Sequence, residues 1–223
     1  MAGRAVSLVI FDCDGVLVDS EPLVNRIEAE YFSTLGFQTT ADEVRALFKG
    51  KTVQQVIDAL EPRLGRPFPA SAAYDWGTAV ALGLAQELRA VSGVERVIQR
   101  LQASGMPVCV ASQSPLPRVR LSLAVTHLDR YFGQNVFTAS MVSNPKPAPD
   151  LFLFAAQRMG VAAQDTIVVE DSPSGVLAAR AAGMRVFGYA ADEDAGALKD
   201  AGAEIFYSMD ELRFDGRLVQ DTV

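Results

Sequence analysis

Apolar residues in this chain gather in short unbroken runs, separated by stretches in which they recur every three or four positions. The runs are Ala5 to Phe11 (AVSLVIF), Met106 to Ala111 (MPVCVA), Asp165 to Val169 (DTIVV) and Met184 to Tyr189 (MRVFGY). A run of about four to eight residues between turn signals predicts a strand buried on both faces, as in a parallel sheet. Ile205 to Tyr207 predicts a short edge strand. Helical periodicity covers Gly93 to Ser104, Leu116 to Val125, Pro149 to Met159 and Ser174 to Ala182. Strands alternating with helices predict an α/β fold with a doubly wound parallel sheet.

The stretch from Ser20 to Ala90 breaks the alternation and reads as helix only. Leu23, Val24, Ile27, Tyr31, Phe32 and Leu35 share one helical face; Val53, Val56, Ile57, Leu60 and Leu64 share another. Ser71 to Leu88 is a long alanine-rich helical pattern. This is too much helix for one crossover connection, so residues 20–90 are expected to form an inserted helical subdomain. Residues 1–19 and 91–223 would then form the α/β core, with linkers near Val18–Pro22 and Ala90–Gly93.

Composition narrows the function classes. Hydrophobic residues are 49% and charged residues 21% of the 223, enough apolar material for a core. The formal charge of −7 argues against sequence-independent nucleic-acid binding, which needs a basic surface. No apolar run approaches the roughly 20 residues that span a bilayer. The run around Leu8 to Phe11 ends in aspartates without a small-residue cleavage site, so it is not read as a signal peptide. Cys13 and Cys109 both lie in strand-like apolar contexts, which predicts free thiols and a cytoplasmic protein. A monomer is the simplest expectation.

Polar groups follow the ends of the apolar runs. Asp12-Cys13-Asp14-Gly15 follows the first, Ser112-Gln113-Ser114 the second, and Glu170-Asp171-Ser172 the third. Lys146 lies in Asn144-Pro-Lys-Pro-Ala-Pro-Asp150. Taken singly each has a plain structural use: the aspartate pair could cap a helix, Ser112 or Ser172 could be an N-cap, and Lys146 could be a solvated loop lysine. Together they place four carboxylates, an ammonium and a hydroxyl on one edge of one sheet, where open α/β folds bind ligands. Like charges ~4 Å apart repel by ~4 kcal/mol at an effective dielectric of ~20. A hard divalent cation relieves that repulsion, and an all-oxygen donor set without His or Cys suits Mg²⁺ better than zinc. With Mg²⁺ and Lys146 in place, a phosphate dianion can approach Asp12.

These residues resemble the haloacid dehalogenase (HAD) superfamily of phosphohydrolases, in the branch with β-phosphoglucomutase and small sugar-phosphate phosphatases. The resemblance rests on Asp12-Cys-Asp-Gly-Val-Leu-Val-Asp-Ser20, Ser112, Pro145-Lys-Pro147 with Pro149-Asp150, Glu170-Asp171-Ser172, Gly175 and Ala181-Ala-Gly183. It implies that Asp12 is the nucleophile that forms an aspartyl-phosphate. It implies that Asp14 protonates the leaving oxygen, then takes a proton from the hydrolytic water, and offers its backbone carbonyl to the metal. Ser112 and Lys146 would hold the phosphoryl oxygens with Gln113 beside them. Asp171 would ligate Mg²⁺ with Asp12, and Glu170 would sit nearby or bridge through water. The helical insert would be the cap that closes over the site, with Lys49-Gly50-Lys51 as its substrate loop. A P-loop reading of Gly50-Lys51-Thr52 fails, because position 45 is Arg45 rather than glycine.

The expected function is thus a Mg²⁺-dependent phosphatase acting on a small phosphorylated metabolite, a sugar or sugar-acid phosphate. A phosphomutase is the alternative, but β-phosphoglucomutase carries a histidine in the first cap helix where this chain has Val24. A 2-haloacid dehalogenase usually lacks the second aspartate, and Asp14 with Glu170-Asp171 argues against it. A non-enzymatic phosphoacceptor resembling a receiver domain would lack the helical insert. His127, Trp76 and the two cysteines are expected to be structural.

Overall fold

The strands pair as residues with no polar face must. The computed structural model describes residues 6–48, 51, 53–191, 195–214 and 218–219. β1 (Leu8–Phe11), β2 (Val108–Ser112), β3 (Val136–Thr138) and β4 (Thr166–Glu170) are buried along their whole length. β5 (Arg185–Tyr189) and the edge strand β6 (Glu204–Phe206) complete one sheet in the order β3-β2-β1-β4-β5-β6. Every pairing in it is parallel. That order reverses direction between β1 and β4, and the crevice outside the carboxyl ends of such a pair is the ligand site of open α/β sheets. A hairpin the apolar pattern does not announce, β7 (Arg213–Phe214) with β8 (Leu218–Val219), follows near the end of the chain.

The chain divides into two compact units, Asp19–Arg89 and the remainder. The first holds α1 (Glu21–Thr34), α2 (Ala41–Phe48), α3 (Val53–Leu64) and α4 (Ala72–Glu87). Thr40 and Glu43 make a reciprocal capping box at the start of α2: Glu43 N donates to Thr40 Oγ1 at 3.3 Å and Thr40 N to Glu43 Oε2 at 2.9 Å. Phe32 is fully buried at the centre of this unit, edge-on to Phe48 and Trp76 at 5.8 and 5.1 Å between centroids. Glycine at position 83 lets α4 approach α1, since a Cβ there would lie 2.2 Å from Ile27 Cδ1. Trp76 Nε1 donates to Glu28 at 3.2 Å, so this tryptophan packs as expected.

In the sheet unit, α5 (Val94–Ala103), α6 (Leu116–Val125), α7 (Asp129–Phe132), α8 (Asp150–Arg158), α9 (Pro173–Ala181) and α10 (Ala195–Asp200) cover the strands. Leu8 and Ile10 of β1 share a core cluster with Leu151 and Phe152 of α8 and Val176 and Ala179 of α9. Phe11, the next residue along the pleat, turns the other way to meet Phe132 of α7 edge-on at 6.3 Å. Both faces of β1 are therefore apolar, which is why its sequence shows no alternation. None of the described helices is long and apolar enough to cross a membrane.

Candidate active site

The site begins where β1 stops being apolar. Asp12 N donates to Val169 O at 2.9 Å, carrying the β1–β4 ladder one residue further and fixing the backbone of Asp12 at the switch point. A tight turn follows. Leu17 N and Val18 N both donate to Cys13 O, and Gly15 N donates to Val18 O at 2.9 Å. Gly15 has φ +80°, and a Cβ on it would lie 1.9 Å from Asp171 Oδ2. Glycine is thus required twice over: by the backbone, and by the carboxylate of the neighbouring strand end pressed against it.

Lys146 enters from the loop after β3, on the residue before a cis proline peptide. Its ammonium donates to Asp12 Oδ1 at 2.6 Å, Glu170 Oε1 at 2.6 Å and Ala111 O at 3.0 Å, so all three protons are used. Lysine is rarely buried unless paired, and this one is 5% exposed. Glu170 Oε2 accepts from Ser172 N at 2.8 Å and Ser172 Oγ at 2.9 Å. Ser172 Oγ in turn accepts from Gly175 N and caps α9. A Cβ at Gly175 would collide with Glu170 Oε1 at 1.8 Å, so the glycine makes room for the carboxylate.

Burial pushes the Asp12 carboxyl up to about 7, with Glu170 and Asp14 adding to the rise and the adjacent Lys146 opposing it. Burial works against the charged form of Lys146 as well, but Asp12 and Glu170 outweigh it and hold its pKa above the ordinary lysine value. Burial, reinforced by Asp14 and Asp12, lifts the Cys13 thiol well above its usual range, and burial does the same for Cys109. Both thiols are free, and neither is poised as a nucleophile.

Ser112 ends β2 and is buried; its Oγ accepts from Ser114 N at 3.1 Å. Gln113 is exposed. Two side chains absent from the expected site meet Asp14: Ser114 Oγ at 2.6 Å from Oδ2, and Arg118 Nη2 at 3.3 Å from Oδ1. Their signal in the sequence is faint, a second hydroxyl after Ser112 and an arginine in the first turn of the next helix. Lys49 and Gly50 lie outside the described residues. Lys51 is exposed, its ammonium 5.7 Å from the centre of the Phe48 ring. His127 is exposed.

The expected metal site comprises Asp12, Asp171, the backbone carbonyl of Asp14, and Glu170 nearby or bridging through water. Among the described residues no three acidic, His or Cys side chains gather as a metal-binding group. Glu170, expected near the metal or bridging to it through water, has its carboxylate on Lys146 and Ser172. Asp14's side chain is likewise held by Ser114 and Arg118. The carboxylates of Asp12 and Asp171 remain, from adjacent strand ends, with Asp171 pressed on the turn that Asp12 begins. Two carboxylates, backbone carbonyls and water are a donor set that fits Mg²⁺, which keeps several waters and needs no all-protein cage.

A family model described as haloacid dehalogenase-like hydrolase matches residues 9–189. The chain is 31% identical over 188 residues to a 6-phosphogluconate phosphatase of Escherichia coli (strain K12), covering 84% of each. It is 30% identical over 206 residues to hexitol phosphatase A of the same organism, covering 91% of each. Among solved structures, a putative β-phosphoglucomutase from Thermotoga maritima superposes with a TM-score of 0.79 at 26% identity, over 92% of this chain and 96% of that one.

Proposed function

The chain belongs to the haloacid dehalogenase-like hydrolase family and is a phosphoric monoester hydrolase; from that premise we propose that it cleaves a sugar or sugar-acid phosphate through an aspartyl-phosphate on Asp12. The observation that carries the reading is the buried Asp12–Lys146–Glu170 group at the β1/β4 switch point. A lysine and two carboxylates buried together cost stability unless something is gained. An anion attacking an anion gains from a fixed neighbouring cation.

The steps follow from the chain's own groups. Asp12 Oδ1 is held by Lys146, and among the described residues Oδ2 accepts no hydrogen bond, so Oδ2 is the attacking atom. It forms a bond to phosphorus as the bond to the substrate's leaving oxygen breaks, and Asp14 gives that oxygen its proton. Water then attacks the phosphorus of the acyl phosphate, Asp14 takes the water's proton, and inorganic phosphate departs with Asp12 regenerated. Ser112 Oγ accepts from Ser114 N, which leaves its own hydroxyl proton to donate to a phosphoryl oxygen. Lys146, its protons already committed, serves as a fixed charge beside the entering dianion. Mg²⁺, held by Asp12 and Asp171 when bound, supplies the remaining charge neutralisation.

The relatives named 6-phosphogluconate phosphatase and hexitol phosphatase A support a phosphorylated sugar acid or polyol as substrate class. Likeness to the putative β-phosphoglucomutase supports a phosphomutase as second reading. Val24 disfavours it, and isomerisation of glucose 1-phosphate would revive it. The test is phosphate release from p-nitrophenyl phosphate by wild type and Asp12→Asn, with and without Mg²⁺. Asp12→Asn is expected to lose about 10⁴-fold or more in kcat with its melting temperature retained. Near-normal turnover by that variant, or full wild-type turnover in a chelator, would sink the mechanism.

A further inference from the structure

Asp14 is gripped from a distant part of the chain. Ser114 Oγ meets Oδ2 at 2.6 Å and Arg118 Nη2 meets Oδ1 at 3.3 Å. Both come from the segment that leaves β2 at Ser112 and enters α6. The segment holds its own shape by other means. Ser114 N bonds back to Ser112 Oγ, and Arg118 N and Val119 N both bond to Pro115 O.

Arg118 is half-buried, its side chain bonds to Asp14 alone among the described residues, and its Nε is buried with no acceptor. A buried donor without a partner costs folding free energy, and such exceptions in folded proteins call for another explanation. Ser114 adds a property that arginine lacks. A hydroxyl donates to a carboxylate and accepts from a carboxylic acid, so it can keep one side-chain orientation before and after a proton is handed over. Arg118 can only donate, and its bond is the longer.

We propose that Ser114 and Arg118 are positioning residues that aim Asp14 at the leaving oxygen of the substrate. The proposal rests on the reading of Asp14 as proton donor, and its test separates the two. p-Nitrophenolate leaves without a proton; the alkoxide of glycerol 2-phosphate does not. Steady-state kcat/KM, which reports the first phosphoryl transfer, is measured on both esters for wild type, Asp14→Asn, Ser114→Ala, Ser114→Thr and Arg118→Ala.

Ser114→Ala and Arg118→Ala are expected to lose about tenfold or more on glycerol 2-phosphate beyond any loss on p-nitrophenyl phosphate, a fraction of what a whole acid catalyst contributes. Ser114→Thr, which keeps the hydroxyl, is expected to recover most of that loss. A merely structural role lowers both substrates alike. If Asp14→Asn discriminates between the esters while Ser114→Ala and Arg118→Ala do not, the positioning role is wrong and the acid assignment stands. If Asp14→Asn does not discriminate either, both fall.

Discussion

The sheet unit and the helical unit bury different things. In the helical unit the interior is Phe32, Phe48, Trp76, Val44, Leu60 and Leu84, and among its described residues no charged side chain is buried. Its ions pair at the surface. In the sheet unit, among the described residues, charged side chains are buried at one place, where Asp12, Lys146 and Glu170 are 7%, 5% and 0% exposed. The same physics governs both, and only one departs from the cheapest solution. The helical unit buries no charge among its described residues, so the buried charge beneath the carboxyl ends of β1 and β4 calls for a reason beyond packing.

Removing the lysine makes the largest difference. Lys146→Met leaves Asp12 and Glu170 buried side by side with the shared ammonium gone. The expected cost is about 3–5 kcal/mol of stability, as for breaking a buried pair from one side, together with loss of turnover. Urea unfolding measures the first and phosphate release the second. Adding Asp12→Asn and Glu170→Gln to Lys146→Met should recover most of the stability and none of the activity. A single Lys146→Met protein as stable as wild type would mean that the group is not charged as described.

The contrast also explains what could be read in the chain before its structure. The strands were legible because β1, β2 and β4 are apolar on both faces, and the helical insert was legible because apolar positions at helical spacing need no partner elsewhere in the sequence to be recognised. α2 carried its signal in Thr40-Ala-Asp-Glu43, a capping box that a search for apolar faces passes over. Asp12, Lys146 and Asp171 could be nominated because each follows a strand or sits in a loop that a sheet brings to one edge. The contacts that hold each acid could not. Glu170 and Asp171 are adjacent in sequence, yet one turns into the lysine and the other against Gly15, and the glycine contacts that separate them exist only in three dimensions. The grip on Asp14 was hidden for a similar reason. Ser114 and Arg118 lie 100 and 104 positions away, and nothing about a serine before a helix or an arginine in its first turn names its acceptor.

A cut in the aromatic core tests the other side of the contrast. Phe32→Ala removes a fully buried ring that touches Phe48 and Trp76. The transfer and cavity terms predict a loss of about 3–4 kcal/mol. That loss should be local: amide exchange is expected to speed up in α1 and α4 while the amides of β1 and β4 keep their protection. Equal loss of protection in the strands would mean that the two units unfold as one and that their separate interiors have no separate stability.

The smallest effect is expected where the bonds look most like those of the site. Arg26 donates to Glu30 and to Glu87 at 2.8 Å each, tying α1 to α4, while Lys146 makes its two carboxylate bonds at 2.6 Å. On distance alone the two arrangements are near equals. Arg26, Glu30 and Glu87 have side chains 42%, 64% and 54% exposed, whereas that of Lys146 is 1% exposed. Two unit charges 4 Å apart are worth ~1 kcal/mol in water and ~4 kcal/mol at an effective dielectric of ~20. Water also solvates each surface ion once its partner is gone, which it cannot do for Asp12 and Glu170. Arg26→Ala is therefore expected to cost less than about 1 kcal/mol, and the cost should shrink further as salt is raised. A loss rivalling that of Lys146→Met would show that bond geometry, rather than burial, sets the worth of an ion pair in this protein, and that buried charge does not mark the site.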